Sequence, residues 1–198
     1  MENKIRVILV EDEPFWQTNI SKYINKENDI EVVRIIDNGP DAVEAAKSLD
    51  FDVILMDINL SRANLDGLMA IRVLSQAGHK VIALTAIKEQ EVIAQSFKSG
   101  AVNFINKSSL FDILRAIRDA HMNQIYIHPD GSEVLRNEYL KEIRLSKVLT
   151  PSERQVYDLK SRGLNKTQIA GQLHKSISTI KKQIRFVKDK LKEQGINF

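Results

Sequence analysis

The sequence of 198 residues contains no cysteine, which excludes disulfide bonds and metal sites with thiolate ligands. It also has no apolar stretch of transmembrane length, no internal repeat and no low-complexity tract. Its first apolar run is too short, and too soon followed by acidic residues, for a signal peptide. We therefore expect a cytoplasmic protein. An apolar content of 43% is sufficient for ordinary globular cores in one or two domains.

Charge is distributed unevenly along the chain and separates it into regions. Residues 1–123 carry 18 acidic and 14 basic side chains, residues 124–148 carry 4 of each, and residues 149–198 carry 11 basic against 4 acidic. A compact basic region joined to an acidic one suggests two modules with different partners. The basic module is a candidate for nucleic-acid binding.

In the first 123 residues, short apolar runs alternate with segments of helical periodicity. This alternation predicts five βα units and hence a five-stranded, parallel, doubly wound (flavodoxin-like) sheet of the α/β class. The predicted strands are Ile5–Val10, Ile30–Ile36, Asp52–Met56, Lys80–Thr85 and Asn103–Asn106. The predicted helices are Phe15–Lys26, Gly39–Ser48, Gly67–Ala77, Glu89–Ser99 and Ser109–Asn123.

The rest of the chain is predicted to be helical. Residues 124–148 form a linker in which Pro129, Asp130 and Gly131 suggest a turn, followed by a helix over Ser132–Arg144. A second, smaller all-α domain spans residues 149–198. Its predicted helices are Pro151–Arg162, Lys166–Leu173 and a last one from Ser176 or Ile177 to about Leu191, the first with Thr150 as its N-cap.

Functional side chains in the first domain follow the predicted strands. Glu11, Asp12, Asp57, Thr85 and Lys107 stand at or just beyond strand ends, which a parallel sheet brings to one edge. Three crowded carboxylates repel one another, and a divalent cation such as Mg²⁺ relieves that repulsion. A lysine and a hydroxyl suit a phosphoryl group, so the set indicates an aspartyl phosphate on Asp57.

Residues 4–121, with these acids, the Thr85-Ala86 pair and Lys107, resemble the receiver domain of two-component response regulators. The resemblance implies that Asp57 accepts phosphate from a histidine kinase. It also implies a Mg²⁺ site made of Glu11, Asp12, Asp57 and the main-chain carbonyl of Asn59. Thr85 and Phe104 would move together as the switch upon phosphorylation, although core packing explains an aromatic residue at position 104 equally well.

Two enzyme-like alternatives fit less well. Phosphohydrolases that form an aspartyl phosphate need a second acid as general acid, and Asn59 occupies that position here. A dinucleotide-binding domain would need glycines after the first strand, where this chain has the acidic turn Glu11–Pro14. We therefore do not expect an enzyme. A regulator whose receiver acts through protein contacts, without phosphorylation, is the alternative that stays open.

The loop after Asp57 differs from the pattern of receiver domains. Relative to that pattern, it lacks a proline and contains two additional residues before Asp66 and Gly67. We expect the longer loop, which includes residues 61–65, to be mobile and to affect kinase docking or the lifetime of the phosphate.

The last predicted helix is amphipathic. Ile177, Ile180, Ile184, Val187 and Leu191 form one apolar stripe, and the other faces are basic. From LTPSERQVYDL to RFVKDKL, residues 149–191 are similar to the LuxR-type helix-turn-helix domain. The resemblance implies that this helix enters the major groove of double-stranded DNA and that the protein regulates transcription.

The resemblance also assigns contacts to individual residues. Lys181, Lys182 and Arg185 fall on base-facing positions, and Ser176, Thr179 and Lys188 are expected to contact phosphates. The fourth helix of this domain class, which commonly pairs two copies, is expected to be shortened or missing because Gly195 follows soon after Leu191. A homodimer would then form through the receiver or the linker helix.

Overall fold

The computed structural model describes residues 4–60, 66–86, 89–124 and 126–196. The chain divides into two compact units, residues 1–135 and residues 136–198. None of the helices in the described ranges is both long enough and apolar enough to cross a membrane. The predicted domain boundaries at residues 123 and 148 stay a prediction.

The first unit is built on a parallel sheet of five strands in the order β2-β1-β3-β4-β5. This is a flavodoxin-like order, as the alternation of apolar runs predicted. The strands are β1 (Ile5–Val10), β2 (Ile30–Ile36), β3 (Val53–Asp57), β4 (Lys80–Thr85) and β5 (Asn103–Asn106). The helices are α1 (Pro14–Ile24), α2 (Gly39–Ala45), α3 (Asp66–Gln76), α4 (Gln90–Lys98) and α5 (Ile113–His121).

Helices cover both faces of this sheet. Alternate residues of β1 point to opposite sides, with Val7 and Leu9 in one core and Ile8 and Val10 in the other. Helices α1 and α5 pack on the first side, and α2, α3 and α4 on the second. The central strands are buried on both faces, which explains why they appear in the sequence as continuous apolar runs.

Several helix and strand ends differ from the sequence prediction, and two of the differences lie at the carboxyl edge of the sheet. Strand β3 includes Asp57 itself, which pairs with Leu84 of β4. The predicted helix Ser109–Asn123 begins instead with a 3₁₀ segment, Lys107–Asp112, before α5. The Asn106 side chain accepts a hydrogen bond from the backbone N–H of Ser108 and so caps this segment.

The predicted turn at Pro129–Gly131 is wrong, because these residues form the first turn of a 20-residue helix, α6 (Pro129–Val148). Proline is compatible with the first helical position, where no intrahelical partner for an N–H is needed. The helix is therefore longer at both ends than the predicted Ser132–Arg144. It starts in the first unit and continues into the second.

The second unit contains the remainder of α6 and three further helices, α7 (Pro151–Ser161), α8 (Lys166–Gln172) and α9 (Ile177–Glu193). Thr150 and Glu153 form the predicted capping box at the start of α7. Helices α7, α8 and α9 enclose one small core around Val156, Ile169 and Ile180. A second cluster joins Leu145 of α6 to residues of α7 and α9.

Helix α9 ends at Glu193, and Gly195 beyond it has a φ of +66°, a conformation that suits glycine. The prediction of a longer loop after Asp57 concerns residues 61–65, which lie outside the described residues.

Candidate phosphorylation site and nucleic-acid interface

The carboxyl edge of the sheet brings together four of the predicted site residues. Glu11 follows β1, Asp57 ends β3, Thr85 ends β4 and Lys107 follows β5. Glu11 is 0% exposed, Asp57 and Lys107 are 4% exposed, and Thr85 is also buried. Four polar side chains are therefore removed from bulk solvent at one edge of the sheet.

Lys107 connects the two buried carboxylates. Its Nζ lies 2.6 Å from Glu11 Oε2 and 3.0 Å from Asp57 Oδ2. The backbone N–H of Asn59 donates a hydrogen bond of 3.2 Å to Asp57 Oδ1. In a buried setting, one cation between two anions offsets their repulsion and fixes the position of both.

Asp12 completes an acidic group at this edge. It is half-buried, and one oxygen from each of Glu11, Asp12 and Asp57 lies within 4.8 Å of the others. Lys107 Nζ, 2.6 Å from Glu11 Oε2, is the cation next to this group. Three converging carboxylates carry more negative charge than Lys107 neutralises, and they fit the oxygen ligands that a hard divalent cation prefers.

The pKa of Glu11 is raised to about 6. Burial is the largest cause, because it penalises the charged carboxylate, and the charge of Asp57 adds to the effect. The hydrogen-bonding and Coulombic interactions with Lys107 act in the opposite direction. Ionisation of the buried Glu11 carboxylate therefore costs free energy even with Lys107 beside it.

The two predicted switch residues lie on neighbouring strands. Phe104 of β5 pairs with Ala83 of β4, two residues before Thr85. The Phe104 side chain is 0% exposed and belongs to the core shared with α3 and α4. The structure therefore places it in a packed position, as core packing requires, next to the strand that carries Thr85.

Two residues near the site were not singled out in the sequence. The ring of Trp16, on α1, lies 5.3 Å from Lys107 Nζ, in reach of a cation–π interaction. A Cβ at Gly67 would lie 2.1 Å from the carbonyl oxygen of Asp57, so only glycine fits there. The Asp66-Gly67 pair of the receiver pattern was a usable signal for Gly67, whereas nothing in the sequence marked Trp16.

In the second unit, α9 exposes the predicted DNA contacts. Lys181, Lys182, Arg185 and Lys188 are all exposed, and the Arg185 side chain is 84% exposed with only a long contact of 3.9 Å to Asp189. The exposed Phe186 stands beside them. Charges held this way are available to a polyanion.

The start of α9 is ordered by hydroxyl groups. Ser176 is the N-cap and accepts a hydrogen bond of 3.1 Å from the backbone N–H of Thr179. The two hydroxyls also lie 2.8 Å apart. Ile177, predicted to belong to the apolar stripe, is instead 44% exposed, while Ile180, Val187 and Leu191 are buried.

Residues 7–119 match the family model of the response regulator receiver domain. The chain is 30% identical over 193 residues to the response regulator protein VraR of Staphylococcus saprophyticus, covering 96% of this chain and 91% of that protein. A VraR of Staphylococcus epidermidis is equally similar.

Solved structures agree in fold. RcsB of Salmonella typhimurium, described as a response regulator, matches with a TM-score of 0.61 and 21% identity over 99% of this chain and 94% of that chain. An RcsB–DNA complex matches with a TM-score of 0.64 and 21% identity, with the same coverage. A LuxR-family regulator from Aurantimonas, at 20% identity, covers 70% of this chain and 99% of that chain with a TM-score of 0.63.

Proposed function

The chain belongs to the response regulator family, with a receiver domain followed by a LuxR-type helix-turn-helix domain, and we propose that phosphorylation of Asp57 controls its binding to DNA. The observation that carries the proposal is the buried group of Glu11, Asp57 and Lys107 at the carboxyl edge of the sheet. In this scheme, the protein acts in the cytoplasm and is modified by a histidine kinase rather than turning over a substrate.

Phosphoryl transfer uses Asp57 as the nucleophile. A carboxylate oxygen of Asp57 bonds to phosphorus while the bond from phosphorus to the donor's imidazole nitrogen breaks. Lys107, already 3.0 Å from Asp57 Oδ2, supplies a positive charge for the phosphoryl oxygens. The hydroxyl of Thr85 is a hydrogen-bond donor for the same group.

The acidic group would hold Mg²⁺ through Glu11, Asp12, Asp57 and the main-chain carbonyl of Asn59. The fit rests on the convergence of three carboxylates within 4.8 Å, whose combined negative charge exceeds the positive charge of the neighbouring Lys107. When bound, the ion neutralises charge on the transferring group.

A mass measurement tests the receiver half of the proposal. Full-length protein incubated with Mg²⁺ and acetyl phosphate should gain a single phosphate. Asp57→Ala should gain none, because the acceptor is gone, whereas the exposed acid control Asp37→Ala should behave as the wild type does. An equal gain on Asp57→Ala would contradict the assignment.

DNA binding is assigned to α9. Lys181, Lys182 and Arg185 would contact base edges in the major groove, and Ser176, Thr179 and Lys188 would contact phosphates. Their exposure, and the excess of basic residues in this part of the chain, support the proposal. RcsB, which has a similar fold, has been solved in complex with DNA.

A duplex selected from a random pool by the full-length protein provides the assay for this half. The double substitution Lys181→Ala and Lys182→Ala should weaken binding at least tenfold. Removing two exposed lysines near the end of α1, Lys22→Ala with Lys26→Ala, is the control with the same change in charge. Equal losses of affinity in both variants would indicate that α9 contributes only general positive charge to DNA binding.

The same DNA-binding assay tests whether phosphorylation of the receiver controls DNA binding. Phosphorylated and unphosphorylated protein should differ in affinity for the selected duplex, and Asp57→Ala should abolish that difference. We propose a homodimer through the receiver or α6 as the DNA-bound form, and light scattering with and without acetyl phosphate measures it. DNA affinity that is independent of Asp57 would instead favour the phosphorylation-independent regulator.

A further inference from the structure

Trp16 lies beside the phosphorylation site without belonging to its charged groups. It stands in the first turn of α1, and the centre of its ring is 5.3 Å from Lys107 Nζ, with the ammonium over the face of the ring. The side chain is half-buried and packs against the core that α1 and α5 share with the sheet. Trp16 therefore covers the Lys107 ammonium from the side of α1.

Contacts of two kinds hold the Lys107 ammonium. Glu11 Oε2 and Asp57 Oδ2 are charged partners, at 2.6 Å and 3.0 Å from Nζ, and the Trp16 ring is a neutral one. Lys107 is only 4% exposed, so water has little access to it. Because lysine carries a compact charge on a flexible four-carbon stem, these contacts determine where the charge lies.

The charged contacts change when Asp57 is phosphorylated, whereas the neutral contact does not. Under the proposed function, an Asp57 oxygen becomes bonded to phosphorus and the Glu11 carboxylate helps to hold Mg²⁺. Each carboxylate then attracts the ammonium less than it does in the unmodified site. The attraction between a cation and an aromatic face comes from the ring's own electron distribution, so it is independent of both carboxylates.

We propose that Trp16 is a positioning residue that holds the Lys107 ammonium at the carboxyl edge of the sheet during phosphoryl transfer. The inference rests on the proposed function of Asp57 and adds an uncharged residue that acts through Lys107. Because α1 packs on the sheet, the ring keeps the ammonium close to Asp57 Oδ2, where the phosphoryl oxygens arrive. A weaker attraction lets the ammonium turn away from this position, and phosphoryl transfer slows.

Replacement of ring hydrogens by fluorine tests the attraction itself. Fluorine withdraws electrons from the face of the ring and changes its size little, so it weakens a cation–π interaction and preserves the apolar cover. Trp16 is the single tryptophan of the chain, so expression in a tryptophan auxotroph supplied with a fluorinated analogue modifies this position alone. The comparison needs no change in the sequence.

Full-length protein that contains tryptophan, or its mono-, di- or trifluorinated analogue, is incubated with Mg²⁺ and acetyl phosphate, and the gain of phosphate is followed by intact mass. The rate should fall with each added fluorine, by at least about threefold over the series. Equal or rising rates along the series, with normal phosphate gain by the unmodified protein, would overturn the inference and leave the proposed function standing. Absence of phosphate gain by the unmodified protein would overturn both.

Substitutions at the same position separate the aromatic face from its bulk. Trp16→Phe keeps a ring and should retain more of the rate than Trp16→Leu, which keeps only apolar bulk. Tyr23→Leu is the matched control and should leave the rate unchanged, because Tyr23 lies on the same helix but its ring contacts Phe111, with 6.1 Å between the ring centres. A Trp16→Leu variant as fast as Trp16→Phe would contradict the proposal.

Stability measured without Mg²⁺ or a phosphate donor gives an independent readout. In EDTA, the equilibrium constant for unfolding should rise with each fluorine in the wild type, because the buried ammonium loses part of a contact. In Lys107→Met, where the cation is absent, the series should be flat. A trend of the same size in both backgrounds would assign the effect of fluorine to packing and overturn the inference. If Lys107→Met does not fold, the series of phosphorylation rates decides.

Discussion

The receiver site and helix α9 both use clusters of charged side chains, in opposite surroundings. Glu11, Asp57 and Lys107 are buried and contact one another, whereas the basic side chains of α9 point into solvent with few contacts. Charges in the first cluster depend on their partners, because removal from water is costly unless it is compensated. Charges in the second are nearly independent, and their contribution is sensitive to salt.

The largest expected difference comes from the same substitution in both regions. Lys107→Met leaves two buried carboxylates without their cation, which should lower the free energy of unfolding by about 3–5 kcal/mol. Lys188→Met, on the exposed face of α9, should change it by less than about 0.5 kcal/mol. Chemical denaturation in EDTA measures both, and similar values for the two variants would remove the distinction.

The buried region should also show a distinct pH dependence. The raised pKa of Glu11 means that the folded receiver binds a proton more tightly than the unfolded chain does. Its contribution to stability is complete below the ordinary pKa of 4.5 and is lost as pH rises through about 6. The loss amounts to about 2 kcal/mol.

The comparison of wild type with Glu11→Gln isolates this effect. The free energies of unfolding of the two proteins are measured by chemical denaturation in EDTA between pH 4 and about 7.5. Plotted against pH, they should converge or cross, because the variant has no carboxylate to ionise at position 11. A constant difference in the free energy of unfolding between the two proteins over this range would contradict a raised pKa of Glu11.

Salt should act chiefly on the exposed region. Lys188→Met removes one proposed phosphate contact, so the slope of log affinity against log salt should become shallower by about 0.9, with similar losses on all sequences. Arg185→Ala should instead cost about 1–3 kcal/mol on the selected duplex and reduce discrimination between bases. Salt titrations on selected and scrambled duplexes separate the two roles.

An effect smaller than those at Lys107 and Glu11 is expected at an intermediate position, the cap of α7. Glu153 accepts hydrogen bonds from Lys190 Nζ and from the backbone N–H of Thr150, both at 2.8 Å, and the Lys190 contact is the largest cause of its lowered pKa. Glu153→Gln should destabilise the second unit by about 1 kcal/mol. The loss should shrink as pH falls and the wild-type carboxylate becomes protonated. Glu193→Gln, at the exposed end of α9, is the control in the thermal unfolding assay.

Much of the receiver was predictable because its strands are buried on both faces and therefore appear as apolar runs. Parallel strands then bring Glu11, Asp57, Thr85 and Lys107 to one edge, whatever the details of the helices. The helical period of α9 correctly places Ile180 and Val187 inside and Lys181 and Arg185 outside. The assignment of that exposed face to DNA came from the resemblance to LuxR-type domains and stays a prediction.

The errors arose where tertiary packing determines the local conformation. Pro129 and Gly131 favour a turn locally, yet Gly131 is helical because its missing side chain lets the backbone approach Phe97. Ile177 fits the period of the apolar stripe but lies in the first turn of α9, where the core no longer reaches it. The contact between Trp16 and Lys107 joins residues far apart in sequence and leaves no local pattern.

The docked first turn of α6 has a practical consequence for dividing or recombining this chain. A receiver cut at residue 123 would lose Gly131 and Val134, which complete the cover of its own core, and would present Phe97 and Phe104 to solvent. A receiver that ends after residue 135 keeps them. In chimeric regulators, a joint placed within α6 beyond residue 135 should therefore yield soluble proteins, whereas a joint before residue 126 should yield aggregating ones.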